Sequence, residues 1–445
     1  MTNIFLITID ALRADRIDYI NKKKNLTPFI DELAEKNISF NNAISTGANT
    51  PISFPGILTA SYASEYYQTK NHGITLASAF KKEGYKTVAF NSNPHFRLWG
   101  LSRGLDHFED FLSETQSSRN TTINKMKKRF TKTFGKRSLI TNTASKLLKH
   151  TSSSIPIPYA DAKKMNSTAF KWLDKNHKNN IFCWMHYMEP HYPYFPPERY
   201  VKDISQKEMT KINRAQWIAE HQGISAVSKE EIKKIIQLYD GEVRYVDEYI
   251  KKFIDKLKQL EIYDESIIVL TADHGEMLGE HERFGHGRDV LFKNQLHVPL
   301  IIKNLEKDKK NYNQPVSLID LPYTISKYAG LIDIFFNGKD IWDRKYIISE
   351  ASSIKREVNE KNNNKYSKIS CQKNEWKLIF NINSKENQLF NLNSDIKEQN
   401  NLYNKNEDIS NEIKKVIQNH IKKSVKSEKV FIKDKIKMLK KEGKI

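Results

Sequence analysis

The sequence contains little cysteine, and this limits the kinds of site that it can build. Only two cysteines occur in 445 residues, Cys183 and Cys371, and neither stands in a spacing typical of metal ligands. This excludes a disulfide framework and a cysteine-rich zinc cluster. We therefore expect a fold that is stabilised by its core, in a reducing compartment.

Long apolar runs are also lacking. No run approaches the roughly 20 residues that a membrane-spanning helix requires. The first residues do not combine a basic segment with an apolar one, as a signal peptide does. We expect a soluble, cytoplasmic protein, with peripheral contact at the inner membrane surface as an open alternative.

Acidic residues are scarce relative to basic ones, 53 against 73, which gives a formal net charge of +20. Such a balance favours anionic partners. The segment 115–160 has no acidic residue and an amphipathic pattern. It could contact an anionic membrane, or it could be an insertion that packs one face on the domain. The basic residues of the chain come as this one insertion and one tail, without a sustained alternation with aromatic residues, which makes a nucleic-acid binder less favoured. Nothing in the sequence indicates the oligomeric state.

Short apolar runs alternate with helical patterns and predict an α/β fold. The runs at 4–9, 181–185, 267–270 and 298–302 are rich in β-branched and aromatic residues, as buried strands of a mostly parallel sheet are. The pattern changes to short strands near residue 346. We predict three parts: a catalytic domain at 1–335 with the basic insertion, a small antiparallel subdomain at 336–402, and a lysine-rich helical tail at 403–445.

Polar side chains follow two of the predicted strands directly. Asp10 comes after the first strand, and Asp273 and His274 come after the strand at 267–270. Ligands in open α/β sheets bind beyond the carboxyl ends of strands. Two carboxylates and an imidazole at such an edge indicate a metal site, and a strand followed by an ordinary polar loop is the alternative for Asp273-His274.

A run of small and hydroxyl residues from Ser45 to Pro51 precedes an apolar helical start. Backbone amides at a helix N-terminus favour an anion. Thr50 would then present its hydroxyl where an oxyanion can bind. A simple turn and helix cap is the alternative interpretation.

These motifs, in this order, resemble those of sulfatase-like proteins of the alkaline phosphatase superfamily. The motifs are Asp10, the segment 50–59, Glu189-Pro190-His191 and Asp273-His274-Gly275-Glu276, and the resemblance extends from Ile4 to about Leu402. It implies an alkaline-phosphatase-like α/β/α sandwich with a mostly parallel central sheet and a small antiparallel C-terminal subdomain. It also implies an anionic ester substrate, which could be linked to a glycan or a lipid.

The resemblance assigns roles at the metal site. Thr50 takes the position of the nucleophile, which is also a metal ligand, beside Asp10, Asp273 and His274. True sulfatases convert a cysteine or serine at this position to formylglycine, and a threonine excludes that route. A donor set of three oxygens and one imidazole suits one Mn²⁺ or Zn²⁺ ion better than Ca²⁺.

Other residues are assigned to the substrate through the same resemblance. His191 or His286 is expected to assist the leaving group. Asn93 and His95 follow a predicted strand and could contact the ester oxygens, and His281 could line the pocket. Packing within loops is the alternative for Asn93, His95 and His281.

The sequence departs from the sulfatase pattern at four positions besides Thr50. The pattern Cys/Ser-x-Pro-x-Arg has its proline shifted to Pro51 and its arginine replaced by Phe54. The second aspartate of the first strand is Ala11, and the Asp-Asn pair that sulfatases often have at the last metal site is Asp273-His274. With Thr50, Ala11 and His274 the site resembles that of phosphoglycerol transferases and phosphonate monoester hydrolases.

Three hypotheses on function follow. The first is a metal-dependent hydrolase or transferase of phosphate esters, of phosphodiester or phosphoglycerol type, that forms a covalent intermediate on Thr50. The second is a sulfuric ester hydrolase with an unusual nucleophile. The third is a catalytically inactive protein that binds an anion or glycan, which loss of metal binding would favour.

Overall fold

The computed structural model describes residues 2–21, 25–68, 73–93, 95–111, 159–287, 289–305, 311–331, 336–351, 367–382, 384 and 386–441, with the backbone alone from 425 onward. The basic segment 115–160 lies outside these residues apart from its last two. The predictions made for that segment therefore stay predictions.

The strands form a large sheet, a small sheet and a short hairpin. Their bounds are β1 Ile4–Ile9, β2 Ile38–Ile44, β3 Lys86–Asn91, β4 His107–Glu109, β5 Ile181–Tyr187, β6 Ile267–Ala272, β7 Met277–Leu278, β8 Phe284–Gly285, β9 His297–Lys303, β10 Asn311–Tyr312, β11 Val316–Ser317, β12 Ile347–Ala351, β13 Lys368–Lys373, β14 Trp376–Asn381 and β15 Gln388–Asn391.

The α-helices are α1 Pro28–Lys36, α2 Thr50–Thr59, α3 Ala63–Gln68, α4 Leu76–Lys82, α5 His95–Leu98, α6 Ala162–Asn176, α7 Gln206–Gln222, α8 Lys229–Gln259, α9 Lys293–Leu296, α10 Leu321–Tyr328 and α11 Glu407–Lys441. Short 3₁₀ helices occur at Ala14–Arg16, Glu198–Tyr200, Ile224–Ala226, Glu280–Glu282 and Leu318–Asp320. No helix within the described ranges has the length and apolar character needed to cross a membrane.

The large sheet has nine strands in the order β10-β2-β9-β6-β1-β5-β3-β4, with β11 also paired to β2. Strand β9 runs antiparallel to both of its neighbours, and the other pairs are parallel. The central strands β1, β5 and β6 are buried along their whole length. Burial on both faces explains why these strands read as continuous apolar runs.

The register of the central strands brings polar residues to one edge. Ile9 is paired with Tyr187 on one side and with Ala272 on the other. The residues that follow these strands therefore emerge side by side, with Asp10 directly next to Asp273. This alignment creates the site described below.

The small sheet is antiparallel, in the order β12-β13-β14-β15. The first part of α11 covers it, because Ile413 and Ile417 are buried in the same cluster as Leu378 and Leu389. The predicted mostly parallel sheet and separate small antiparallel sheet are confirmed. The division of the chain into three parts remains a proposal.

Strand β12 of the small sheet holds the loop that leads to α2. The backbone N–H of Glu350 donates to Thr46 O at 2.8 Å, and Ser349 Oγ donates to Ser45 O at 2.6 Å. The Glu350 carboxylate in turn accepts from Ser64 and contacts His420 Nε2 at 2.7 Å. The small sheet thereby fixes the segment that carries Thr50.

Candidate active site

Asp10, Asp273 and His274 form a fully buried cluster at the carboxyl edge of the large sheet. One ligand atom from each residue lies within 4.8 Å of the other two. His274 Nε2 is 3.5 Å from Asp10 Oδ1 and 3.4 Å from Asp273 Oδ2. A nitrogen and two carboxylate oxygens therefore converge on one small volume.

The oxygens of this cluster lack regular hydrogen-bond partners. Both carboxylate oxygens of Asp10, and Oδ2 of Asp273, are buried without a hydrogen bond among the described residues. Asp273 Oδ1 accepts the backbone N–H groups of Ala11 and His274, which orients its carboxylate. Buried charges are found paired or bound to a metal, so this donor set fits a divalent cation.

The ring of His274 is oriented as a metal ligand requires. Its Nδ1 lies 2.8 Å from the carbonyl oxygen of Gly275, which can only accept, so Nδ1 carries the proton. Nε2 is then a bare lone pair that points into the cluster. Burial and the nearby His286 lower the pKa of His274 to about 3. The imidazole is therefore neutral at physiological pH.

The pKa values of the two carboxylates are shifted in opposite directions. Burial acts to raise the pKa of Asp10, but His191, His186 and His274 together lower it below its ordinary range. Burial and the charge of Asp10 raise the pKa of Asp273 well above its usual value. Two buried carboxylates at this separation repel each other, and a divalent cation between them would relieve that repulsion.

Thr50 is the first residue of α2 and reaches the same cluster. Its Oγ1 lies 3.2 Å from His274 Nε2, and the residue is nearly fully buried. The helix N-terminus adds a partial positive charge that favours an anion beside the hydroxyl. The preceding loop is held by Ser45, whose hydroxyl donates to the carbonyl oxygen of Asp273. Gly47 is required there, because a Cβ would meet Ile52 Cγ2 at 2.3 Å.

His286 is held beside the cluster by a buried glutamate. Its Nδ1 lies 3.3 Å from Glu276 Oε1, and Glu276 Oε2 accepts the Tyr194 hydroxyl at 2.7 Å. Gln216 Nε2 donates to the same hydroxyl oxygen at 3.2 Å. Burial acts to lower the pKa of His286, but Glu276, with Asp10 and Glu220, raises it. The ring is therefore suited to hold and deliver a proton.

His191 completes a row of three imidazoles. Its ring centroid is 4.8 Å from that of His286, which is 4.8 Å from that of His274. His191 Nδ1 lies 2.5 Å from Tyr192 O, so this nitrogen is the donor and Nε2 is unprotonated in the neutral ring. Tyr159 donates its hydroxyl to the backbone oxygens of His191 and Pro193 and so fixes this loop.

Comparison with known proteins places the chain in a family. The model of the family described as Sulfatase matches residues 2–331, about three quarters of the sequence. The chain belongs to the sulfatase family. The matched region contains every residue of the site described above.

Curated and solved relatives agree with membership of the sulfatase family. An arylsulfatase of Clostridium perfringens is 23% identical over 397 residues, which cover 79% of this chain and 81% of the relative. The crystal structure of a phosphonate monoester hydrolase of Agrobacterium radiobacter has a TM-score of 0.70 at 17% identity, covering 95% of this chain and 96% of the other. A protein solved with its substrate D-glucosamine-2-N,6-O-disulfate has a TM-score of 0.67 at 18% identity, covering 96% and 98%. The two solved structures show the alkaline-phosphatase-like fold.

Two residues predicted to bind substrate make local contacts in this sulfatase-family structure. Asn93 Oδ1 accepts the backbone N–H of His95 at the start of α5. The His95 ring is exposed and stacks on Trp99 with 5.4 Å between centroids. These contacts match the loop-packing alternative, and the substrate role remains a prediction.

His281 lines a cavity that Asp10, Thr50, Asp273 and His274 do not border. The cavity has a volume of about 850 Å³ and is bordered by Arg13, Glu280, Lys293 and Lys397 as well. The His281 ring stacks on Phe292 at 3.7 Å, with a backbone φ of 48°. The stacking matches the loop-packing alternative, and the substrate role of His281 stays a prediction.

Glu276 belongs to one of the family motifs, but the sequence alone did not indicate a role for it. Glu276 is fully buried, and its backbone oxygen also accepts Arg13 Nη1 at 3.0 Å. Its place two positions after a predicted metal ligand, in a glycine-rich loop, could have marked it as a residue of the site. Its partners Tyr194 and Gln216 come from distant segments that carry no readable motif.

Proposed function

We propose that this member of the sulfatase family is a metal-dependent hydrolase or transferase of phosphate esters, of phosphodiester or phosphoglycerol type, with Thr50 as its nucleophile. One observation carries the proposal: Thr50 Oγ1 lies 3.2 Å from the bare Nε2 of His274, beside buried carboxylate oxygens without hydrogen bonds. A hydroxyl that converges with metal-ligand atoms at a helix N-terminus is arranged as a nucleophile.

Asp10, Asp273 and His274 would hold the cation, with Thr50 Oγ1 as a fourth donor. A divalent ion held there would lower the pKa of the hydroxyl and neutralise charge on the ester oxygens. His274 is a poor alternative base for Thr50, because its pKa of about 3 leaves it little affinity for a proton. Mn²⁺ and Zn²⁺ suit the mixed oxygen and nitrogen donors better than Ca²⁺.

The reaction proceeds in two displacements at phosphorus. The Thr50 hydroxyl loses its proton to solvent, Oγ1 attacks the phosphorus atom, and the bond to the leaving oxygen breaks. The phosphoryl group, with the remaining ester group of a diester, is then bound to Thr50 as a phospho-threonine. His286 or His191 donates the proton that the leaving oxygen needs. A water molecule or an acceptor hydroxyl then attacks phosphorus and releases Thr50, which makes the enzyme a hydrolase or a transferase.

Sulfate ester hydrolysis is the second candidate, and the names of the relatives favour it. Both an arylsulfatase and a protein with a disulfated glucosamine substrate are similar to this chain. Residue 50 argues against this candidate, because a threonine cannot supply formylglycine. The relatives also support an anionic ester substrate, and we propose a glycan- or lipid-linked one. Cytoplasmic location and peripheral membrane contact remain predictions.

A panel of three aryl esters tests the proposed function. We expect turnover of an aryl phosphodiester with Mn²⁺ or Zn²⁺, and turnover of the aryl phosphomonoester and aryl sulfate at least tenfold lower. A preference for the sulfate would contradict the proposal. Absence of turnover together with absence of metal binding would favour the inactive anion-binding alternative.

Substitution of His286 distinguishes a proton donor from a residue that only binds the substrate. With a poor alkyl leaving group, we expect His286→Ala to lower kcat about 10²- to 10⁴-fold, because the leaving oxygen needs a proton. With p-nitrophenol as leaving group, which departs as an anion, the loss should be tenfold or less. The measurement is kcat for both esters.

His191→Ala and His95→Ala serve as the matched variants for His286→Ala. His191→Ala shows the same leaving-group dependence if His191 is the donor instead. His95→Ala separates the two interpretations of His95: packing against Trp99 predicts values within about twofold of the wild type, and a substrate contact predicts a larger loss with both esters. Equal losses with both esters for His286→Ala and His191→Ala would exclude a proton-donor role for either.

A further inference from the structure

His186 lies inside β5 and is fully buried among aromatic side chains. Its ring meets Phe54 edge-on, with 5.0 Å between centroids and an interplanar angle of 90°. Phe96 lies 5.5 Å and Trp184 6.1 Å from the same ring. This surrounding excludes water, so the two ring nitrogens depend on the protein for polar partners.

Nδ1 of His186 faces Thr8. The distance from Nδ1 to Thr8 Oγ1 is 2.9 Å, and the Trp184 indole N–H donates to the same oxygen at 2.9 Å. The Thr8 hydroxyl has one proton, which it can give to His186 Nδ1 or to Met185 O at 3.3 Å. The shorter contact favours donation to Nδ1, and this places the ring proton on Nε2.

Nε2 of His186 faces the carboxylate of Asp10. The distance from Nε2 to Oδ2 is 3.3 Å, and both atoms are buried without a regular hydrogen bond in the described part of the chain. Because the Thr8 hydroxyl donates to Nδ1, the proton of the neutral ring is on Nε2, where it points to this carboxylate oxygen. The other Asp10 oxygen, Oδ1, is the one that faces His274.

We propose that His186 is a positioning residue for the metal site: its Nε2–H engages Oδ2 of Asp10 and leaves Oδ1 to face the cation. The inference rests on the proposed metal site. A partner on the far side of a ligand fixes its orientation and is commonly worth 10- to 100-fold in metal affinity.

Phe54 connects His186 to the helix that carries Thr50. It lies on α2, one turn after Thr50, at the position where the sulfatase pattern has arginine. In this chain the side chain is fully buried against His186 rather than directed to the substrate. The replacement of a charged residue by Phe54 thus closes the apolar wall around the ring and couples α2 to Asp10.

Metal affinity in matched variants tests the role of His186. The variants are His186→Leu, which removes the donor, and His186→Gln, whose amide nitrogen can occupy the place of Nε2. Thr8→Val removes the hydroxyl that sets the tautomer. His297→Leu is the control, because His297 is also buried and contacts Asn41 O at 2.7 Å in another part of the sheet.

The readouts are the Mn²⁺ dissociation constant, from titration followed by electron paramagnetic resonance, and the unfolding temperature with a chelator present. We expect His186→Leu to weaken Mn²⁺ binding 10- to 100-fold. His186→Gln should recover at least half of that loss on a logarithmic scale, and Thr8→Val should weaken binding less than His186→Leu. His297→Leu should lower the unfolding temperature but bind Mn²⁺ like the wild type.

Three results would overturn the inference: wild-type affinity in His186→Leu, equal affinity in the Leu and Gln variants, or an equal loss in the His297 control. If His186→Leu does not fold, His186→Gln and Thr8→Val carry the test, and unchanged affinity in Thr8→Val would count against the role. Absence of Mn²⁺ binding in the wild type would instead contradict the proposed metal site.

Discussion

Replacement of Thr50 by alanine should reduce aryl phosphodiester turnover on the order of 10⁴-fold or more, because it removes the atom that attacks phosphorus. Thr50→Ser keeps the hydroxyl, and we expect it to retain activity within about tenfold of the wild type, a difference of roughly 1.4 kcal/mol. The measurement is kcat/KM for the three proteins with saturating Mn²⁺.

Metal affinity controls for indirect effects of the Thr50 substitutions. Asp10, Asp273 and His274 are intact in both variants, so each should bind Mn²⁺ with an affinity within about tenfold of the wild type. A Thr50→Ala protein that retains both metal and turnover would require a different nucleophile, with water as the first candidate.

Replacement of Asp273 by asparagine should raise the stability of the metal-free protein and abolish its activity. In a chelator, we expect Asp273→Asn to be more stable than the wild type by about 1–3 kcal/mol, because it removes one of two buried carboxylates that repel each other. With Mn²⁺ at 100 times its dissociation constant, the wild type should gain about 2.7 kcal/mol and the variant much less. The measurement is the free energy of unfolding in denaturant, with and without metal.

Asp273→Asn should also have no measurable phosphodiesterase activity. Asp247→Asn is a suitable control, since Asp247 is also buried and accepts the N–H groups of Phe29 and Ile30 at the start of α1. It should leave the effect of Mn²⁺ on stability unchanged. A chelated Asp273→Asn protein less stable than the chelated wild type would show that the carboxylate is structurally required, contrary to the metal-site account.

The sequence predicted the sheet and the convergence of Asp10, Asp273 and His274 because both follow from simple rules. Apolar β-branched runs mark buried strands, and residues beyond neighbouring parallel strands share one edge. The structure pairs Ile9 with Ala272, so the two strands end at the same level and Asp10 and Asp273 emerge as neighbours. Thr50 needed the family resemblance as well, because a helix start alone is also a common cap.

Side-chain partners from distant segments could not be predicted. Tyr194 and Gln216 reach Glu276 from a loop and from α7, and no spacing in the sequence indicates that they meet. His186 also received no role from the sequence, because the predicted strand ended at residue 185 and the structure extends it to Tyr187. Its position opposite Asp10 depends on the pairing of β1 with β5, which fixes Thr8 beside His186.

The stereochemical course at phosphorus tests the central claim, a covalent intermediate on Thr50, most directly. The substrate is an aryl phosphodiester with one sulfur at phosphorus, hydrolysed in ¹⁸O-labelled water as a single stereoisomer. Each in-line displacement inverts the configuration, so two displacements through Thr50 predict overall retention. Overall inversion would show direct attack by water and would contradict the account.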